Sequence, residues 1–535
     1  MKRARTVDAR PTIPAAPPAA WTSLLVGLAV FAVYAVLAPS VAGDKDSSEF
    51  ILVLARLGTP HPTGYPLYTL LGHAFVTALH ALGVGWDRAG NLWSAFGGAA
   101  AMGLLHALAA RLLAREGVGA RSAVALALLP VAAFALNPLV TMETTLAEVN
   151  AFHLAWVAGA MLVTLWAGDR LRRAEATPAD VVRVTTIAGL VLGSGLAHHA
   201  TSVFVIVPMA LALALQAREA KRLSPTLMLV AAVAIVLPWS ANLWTAWRVF
   251  HPVEPHWQAL TPTWQAWWRH VTGADYRIYL GHFAPSEVQR NALAAYLWPW
   301  LAVSAACAGV WAWRGRGTPG AVRAAWLVSG VAAFAYARSY GVGDPSSYFL
   351  PSFLLAVAAV PAALVPLRAI ARPLAALVGL ALLVQDVTWF RVGMARAQVY
   401  RAFEGQVLGM WRAIPFDDGF VLWPSDMVHR LHKYQWLDGD RPGIEALNPI
   451  ALTHDGPHAA FVARHGFDPA DRARLEARMA ANPPADPRAF SQALGLAIID
   501  ELNEHTSKPV VRFRPEVPEL VLLDKPSPDT TATRR

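Results

Sequence analysis

Eleven long apolar stretches separated by short basic loops dominate this chain: residues 21–38, 91–113, 122–140, 146–167, 184–200, 201–216, 226–247, 291–313, 321–338, 348–366 and 370–388. About 20 consecutive apolar residues cross the roughly 30 Å hydrocarbon core of a bilayer as a helix. In lipid, every backbone N–H and C=O has to be satisfied inside such an element. The pattern predicts an all-α integral membrane bundle of about 11 transmembrane helices. Composition agrees: charged residues are 15% of the chain, against about 25% in soluble domains. The single cysteine, Cys307, lies in an apolar run and excludes a disulfide framework or a cysteine-based metal site. The net charge of +9 is spread over short loops rather than gathered on one face. The expected partner is therefore the lipid bilayer and not nucleic acid.

Lys2, Arg3 and Arg5 place the N-terminus in the cytoplasm. Counting outward from there, the basic loops all fall inside: Arg111 to Arg115 with Arg121, Arg170 to Arg173, Arg218 to Arg222, Arg314 with Arg316, and Arg368 to Arg372. Residues 65–82 are apolar enough to cross, but a crossing there would put Arg111, Arg115 and Arg121 outside. They are read as a helix along the outer surface. Residues 184–216 have basic flanks on both sides and so cross an even number of times. Two helices of about 16 residues reach only about 24 Å each, short of the core, so the tip Gly195 to His199 is expected to dip into the membrane.

An odd number of crossings leaves the C-terminus outside. The first apolar segment follows a Pro/Ala-rich arm, Pro11 to Ala20, without an evident cleavage site, so no cleavable signal peptide is expected. The organisation read from these features is a cytoplasmic arm (1–20), a transmembrane domain (21–390) with outer loops at 40–90 and 248–290, a small C-terminal α/β extracytoplasmic domain (396–524) and a tail (525–535). The last domain rests on a change of composition beyond 396 and on stretches such as Gly419 to Pro424 and Pro509 to Arg514. No internal repeat is visible.

Ionisable residues at membrane depth or at a membrane mouth are costly and mark functional sites by default. In this topology they gather on one side. The first outer loop carries Asp44, Asp46, Glu49 and His61. Glu143, Glu148, Asn150 and His153 follow, with Glu148 placed inside an apolar segment. His198 and His199 form a hairpin tip, the long outer loop holds His251, His256, His270 and Arg277, and the last outer turn holds Arg338, Asp344 and Tyr348. Carboxylates, imidazoles and a few guanidiniums around one cavity suit general-base chemistry on a phosphate-bearing substrate. Plainer readings stand beside each: solvated loop acids, snorkelling at a helix end for Glu148, interfacial packing for the His pair. The tryptophans Trp244, Trp247, Trp257, Trp264, Trp267 and Trp268 read most simply as an interfacial aromatic belt.

Asp46-Ser-Ser-Glu-Phe50, then Leu57-Gly-Thr-Pro-His-Pro-Thr-Gly-Tyr-Pro-Leu-Tyr68, then Asn91-Leu-Trp-Ser94, resemble the signature of a bacterial family of multi-pass proteins, D-S-G-E-F…H-P-P-G-Y-P-L-Y…N-x-x-S. That family is related to the eukaryotic transmembrane O-mannosyltransferase and is placed in the GT-C glycosyltransferase superfamily. Ala147-Glu-Val-Asn-Ala151, Gly195 to Thr201, His270 to Gly273 with Tyr276, and Asp344 with Tyr348 are also similar. Ser48 replaces the usual glycine and Thr63 the second proline.

The resemblance, over most of 25–355, implies a GT-C-like fold in a bacterial cytoplasmic membrane. It implies a polyprenyl-phosphate-sugar donor, a protein, glycan or lipid acceptor, and transfer on the outer face with inversion. It also implies a first-loop aspartate as base: Asp46 by motif position, Asp44 second, with Glu49 orienting the acceptor or His61. Arg338, His199 and Arg277 are candidates for stabilising the leaving phosphate, and Glu148 and Asn150 for holding sugar hydroxyls. A divalent cation (Mg or Mn) held by Asp46, Glu148 and a histidine is open. The competing reading is a transporter or a flippase for lipid-linked sugars, which predicts mid-membrane charges on several helices and internal symmetry.

Overall fold

The computed structural model describes residues 20–44, 46–257, 260–341, 345–365, 368–481 and 490–525. Among them, eight helices are long and apolar enough to cross a membrane, or up to ten if each of two bent pairs is one span. Helix Ser346–Leu364 lies deepest, with 83% of its span buried, and packs against Trp86–Arg115 and Asn150–Leu171. Ala20–Leu37 is only 17% buried and turns Trp21, Leu24, Leu25 and Leu28 outward. That is the expected environment of side chains facing lipid. The N-terminal arm expected at 1–20 lies outside the described residues except for Ala20, as does the tail beyond Lys525.

Four expected spans differ in form. Stretch 122–140 is broken: Ala120–Ala135 and Pro138–Thr145 meet at 78°. Pro138 has no N–H to give to a continuing helix and suits a first turn instead. Asn137 caps the new helix by accepting the Leu139 N–H at 3.0 Å. Stretch 291–313 bends by 46° between Glu287–Tyr296 and Trp298–Arg314, with Pro299 again in the new first turn. The pair read as two short helices is longer than expected. Pro178–Ala197 and Ala200–Glu219, 3-10 turns included, each hold 20 residues, about 30 Å, enough for the core without a dip.

Helix Pro66–Ala81 is not among the spans. It packs on Ser47–Arg56, and both lie against the start of Trp86–Arg115. Candidate 370–388 falls within Arg368–Arg412, a 45-residue helix. That helix runs on through 390–396, where the sequence suggested a domain border.

The C-terminal residues form a four-stranded sheet in the order β2-β1-β3-β4: β1 Gly419–Leu422, β2 Ile444–Leu447, β3 Val510–Arg514 and β4 Glu519–Leu522. β1 pairs parallel with β2 and β3, and β4 is antiparallel. Successive side chains of a strand point to opposite faces. Phe420 and Leu422 join a cluster with Phe461, Ile498 and Leu502, while Val421 and Trp423 join one with Trp411, Leu431 and Phe513. Covered on both faces, β1 reads as one apolar run rather than an alternation.

Candidate active site

Asp46 occupies the N-cap position of Ser47–Arg56. Phe50, Ile51 and Leu54 on that helix pack with Tyr65, Tyr68 and Trp93, which draws Glu49 into the protein; it is buried. A buried carboxylate has to be paired. Its partner is His61, whose backbone N–H donates to Oε1 at 2.7 Å and whose Nδ1–H donates to Oε2 at 2.8 Å. Burial alone would raise the Glu49 pKa, but the charge and hydrogen bonds of His61 outweigh it and hold the group below its ordinary value. Burial would likewise lower His61, yet Glu49 and Asp46 push it up to about 10. The result is a fixed buried ion pair. Tyr65 donates its hydroxyl proton to Pro62 O at 3.1 Å, leaving His61 Nε2–H to donate to the tyrosine oxygen at 3.3 Å. Nε2 also lies 4.0 Å from Asp46 Oδ2. Behind this turn, Gly64 has φ +85°, and a Cβ there would stand 3.0 Å from His270 Nε2, so the conformation and the space both require glycine.

Asn91 and Ser94, one helical turn apart and fully buried, staple the acidic loops together. Asn91 Nδ2–H donates to the carbonyls of Pro39 and Val41 at 2.9 Å, and its Oδ1 accepts the Ala147 N–H at 2.8 Å. Ser94 Oγ exchanges hydrogen bonds with both backbone groups of Glu148 at 2.9 Å. Residues 39–44 with Asp46, and loop 146–149, are thereby brought to one cavity of about 770 Å³. Glu148 belongs to that loop and not to a span, since the helix starts only at Asn150.

Of the residues singled out from the sequence, Asp44, Asp46, His61, Glu143, Glu148, Asn150, His199 and Tyr348 line this cavity. Glu49 stands behind His61. Asn150 donates to Glu143 Oε2 at 2.7 Å. His199 Nδ1 accepts the Thr201 N–H at 3.3 Å and meets the Thr201 hydroxyl at 2.7 Å, which leaves Nε2–H as its remaining donor. Burial and the charge of His61 push it down to about 4. It is neutral near pH 7 and not the cation expected for a leaving phosphate. His198 packs on His153 and His199 instead. His270 is buried against Gly64. Arg277 lines an adjoining cavity of about 240 Å³ with Tyr65 and Tyr276. Arg338 lies in a cleft of about 930 Å³ with Arg290, over the ring of Phe283 at 4.4 Å; Gln289 borders both this cleft and the acidic cavity. Asp344 lies outside the described residues.

Two contributors escaped the sequence reading. Arg396 lines the cavity and donates to Thr145 Oγ1 at 2.9 Å, and Tyr400 donates to Asp44 Oδ1 at 3.0 Å. Both come from the long helix through the expected domain border, where Arg391, Arg396 and Arg401 recur at five-residue spacing. That recurrence was the one available signal. Ser425, Asp426 and Met427, following β1, also line the cavity.

For the divalent cation left open on Asp46, Glu148 and a histidine, the structure brings a different constellation together: ligand atoms of Asp46, Glu49 and His61 lie within 4.8 Å of one another. This set fits Mg or Mn poorly. These ions require several free oxygen ligands, both Glu49 oxygens are bonded to His61, and a protonated imidazole has no lone pair to offer.

Fold and site together define a polytopic helical membrane protein with an acid- and imidazole-lined cavity that residues following β1 also border. Within that class, residues 46–223, about a third of the chain, match the family model of the Protein O-mannosyl-transferase TMEM260 N-terminal domain. The Protein O-mannosyl-transferase tmem260 of Dictyostelium discoideum is 27% identical over 179 residues, 32% of this chain; the match spans 20% of that relative's length. Among solved structures, ArnT from Cupriavidus metallidurans bound to undecaprenyl phosphate aligns at a TM-score of 0.46 and 12% identity, over 83% of this chain and 95% of that one. Its apo state gives 0.43 and 13%, over 96% and 94%.

Proposed function

We propose that the protein is a GT-C-type membrane glycosyltransferase that moves a sugar from a polyprenyl-phosphate donor to an acceptor hydroxyl on the extracytoplasmic face. The observation that carries this is Asp46: its half-exposed carboxylate borders the cavity beside a buried, charged His61. The likeness of residues 46–223 to an O-mannosyl-transferase domain supports the reading, since that segment holds Asp46, Glu49, His61, Glu148, Asn150 and His199. The activity named for the slime-mould relative makes mannose and a polypeptide hydroxyl the first donor and acceptor to try.

An acceptor hydroxyl is too weak an acid to ionise at neutral pH, so its proton has to leave as the new bond forms. Asp46 takes that proton while the acceptor oxygen bonds to the anomeric carbon. The bond from that carbon to the phosphate oxygen breaks on the opposite face, its electron pair stays with polyprenyl phosphate, and the configuration inverts. Negative charge grows on the leaving phosphate, and fixed cations stabilise it most in a site closed to water. Arg396 lines the cavity, with Arg277 and Arg338 in the adjoining cleft and cavity for the lipid phosphate. Glu148, Asn150 and the His199 Nε2–H take sugar hydroxyls. Asp44, tied to Tyr400, is the second candidate for the base.

Purified protein incubated with labelled polyprenyl-phosphate-mannose tests this. Turnover by wild type and a fall of roughly 10²- to 10⁴-fold in Asp46→Asn is expected for loss of a general base. An unchanged rate in Asp46→Asn would sink Asp46 as the base. No turnover with any polyprenyl-phosphate sugar would favour a transporter.

A further inference from the structure

The peptide segment that delivers Asp44 and Asp46 is gripped from the C-terminal domain. Arg430, on helix His429–Trp436, is fully buried. Its Nη2 donates to the carbonyl of Ala42 at 3.1 Å and to that of Gly43, and its Nη1 is bonded to Glu404. The other side of the same segment is held too: Ala42 N–H donates to Asp87 Oδ2 at 3.0 Å, and Lys433 Nζ donates to that oxygen at 2.6 Å. Tyr434 completes the network by donating to Glu404 Oε1 at 2.7 Å. Gly43 is closely packed: a Cβ there would meet the Leu146 side chain at 2.6 Å, at the start of the loop that carries Glu148.

We propose that Arg430 is a positioning residue for the first outer loop, which makes the α/β domain part of the reacting centre and not an independent appendage. The proposal rests on the reading of that loop as the carrier of the base. A buried Arg–Glu pair is a poor source of net stability, because desolvation offsets most of the attraction. What the guanidinium supplies is direction: a rigid planar fork with Glu404 on one nitrogen and two successive carbonyls on the other. Asp46 follows three residues after Gly43, and small displacements of a reacting group are costly, about a hundredfold per ångström.

The test uses the full chain in detergent or nanodiscs. Removing Arg430 alone would strand the Glu404 charge, so the informative variant pairs Arg430→Met with Glu404→Gln. Arg430→Lys serves as a second variant that keeps the charge and loses the fork. Amide hydrogen exchange over residues 41–50 is expected to rise about tenfold or more in both, while β1 and β2 exchange as in wild type. For polyprenyl-phosphate-mannose, kcat is expected to fall about tenfold or more with KM for the donor unchanged. Wild-type exchange at 41–50 in a folded variant overturns the proposal, and so does exchange that rises equally in the sheet. Should Asp46→Asn keep its turnover, the base assignment fails, yet the exchange result still decides Arg430.

Discussion

Two charged clusters stand at opposite ends of helix Trp86–Arg115, and they are built on opposite principles. At its C-terminal end, Asp169 accepts from Arg111, from Arg115 at 2.8 Å and from Arg172 at 3.0 Å. One buried carboxylate is saturated by three guanidiniums, and the ends of two helices are tied together. Roughly 30 Å away along the same helix, the proportions among the described residues reverse. Five carboxylates, Asp44, Asp46, Glu143, Glu148 and Asp426, border one cavity with Arg396 and His61. Asp169 ties helix ends together, whereas the outer acids line a cavity.

The largest expected effect separates the two ends. Asp46→Asn should lower turnover by roughly 10²- to 10⁴-fold with little change in melting temperature. Asp169→Ala should do the reverse: breaking a buried pair costs about 3–5 kcal/mol, read as a lower melting temperature, while turnover per folded molecule stays at the wild-type level. Loss of turnover in folded Asp169→Ala would erase the distinction.

A smaller effect follows from the ion pair at the outer end. The folded pKa of His61 is raised to about 10, above its ordinary value near 6.5. Its contribution to stability is therefore complete below about 6.5 and lost as pH rises toward about 10. Glu49 acts in the other sense: its folded value is lowered, so its contribution holds above the unfolded value and is lost as pH falls through the folded one. Melting temperatures across pH 6.5 to 10 should decline in wild type, and Glu49→Gln should flatten the decline. A flat wild-type curve over that range would remove the charged pair from the account.

What the sequence made legible, and what it did not, follows the range of the interactions. Span positions are local properties of hydropathy, so ten of the expected stretches coincide with straight or bent spans between Trp86 and Leu364 or with Ala20–Leu37, although a hydropathy window averages over the bends. Asn137–Pro138 and Pro299 stand at the two breaks, with a cap and a missing N–H that the hydropathy pattern did not weigh. The acids of the first loop were visible because they are dense in sequence. Their partners were not: Arg430 reaches Gly43 across 387 residues and Tyr400 reaches Asp44 across 356, distances at which no periodicity carries information. Glu148 was read as part of a helix because its neighbours are apolar, whereas Ser94 holds it in a loop.

The smallest expected effect concerns a divalent cation, and the same comparison decides it. An acidic cavity attracts Mg or Mn by field alone, but tight binding requires several free oxygens in near-octahedral array. At the outer end the closest acid, Glu49, has given both oxygens to His61, and His61 carries its own positive charge. A cation there would have to displace an ion pair and lie against a protonated imidazole. Prolonged treatment with EDTA should therefore leave turnover of polyprenyl-phosphate-mannose unchanged. If turnover were lost and then restored by Mn, Glu49 would have to release His61 on loading. The His61 contribution to the pH-dependent melting curve would then disappear in the Mn-loaded protein, and the outer cluster would be a metal site held shut by its own histidine.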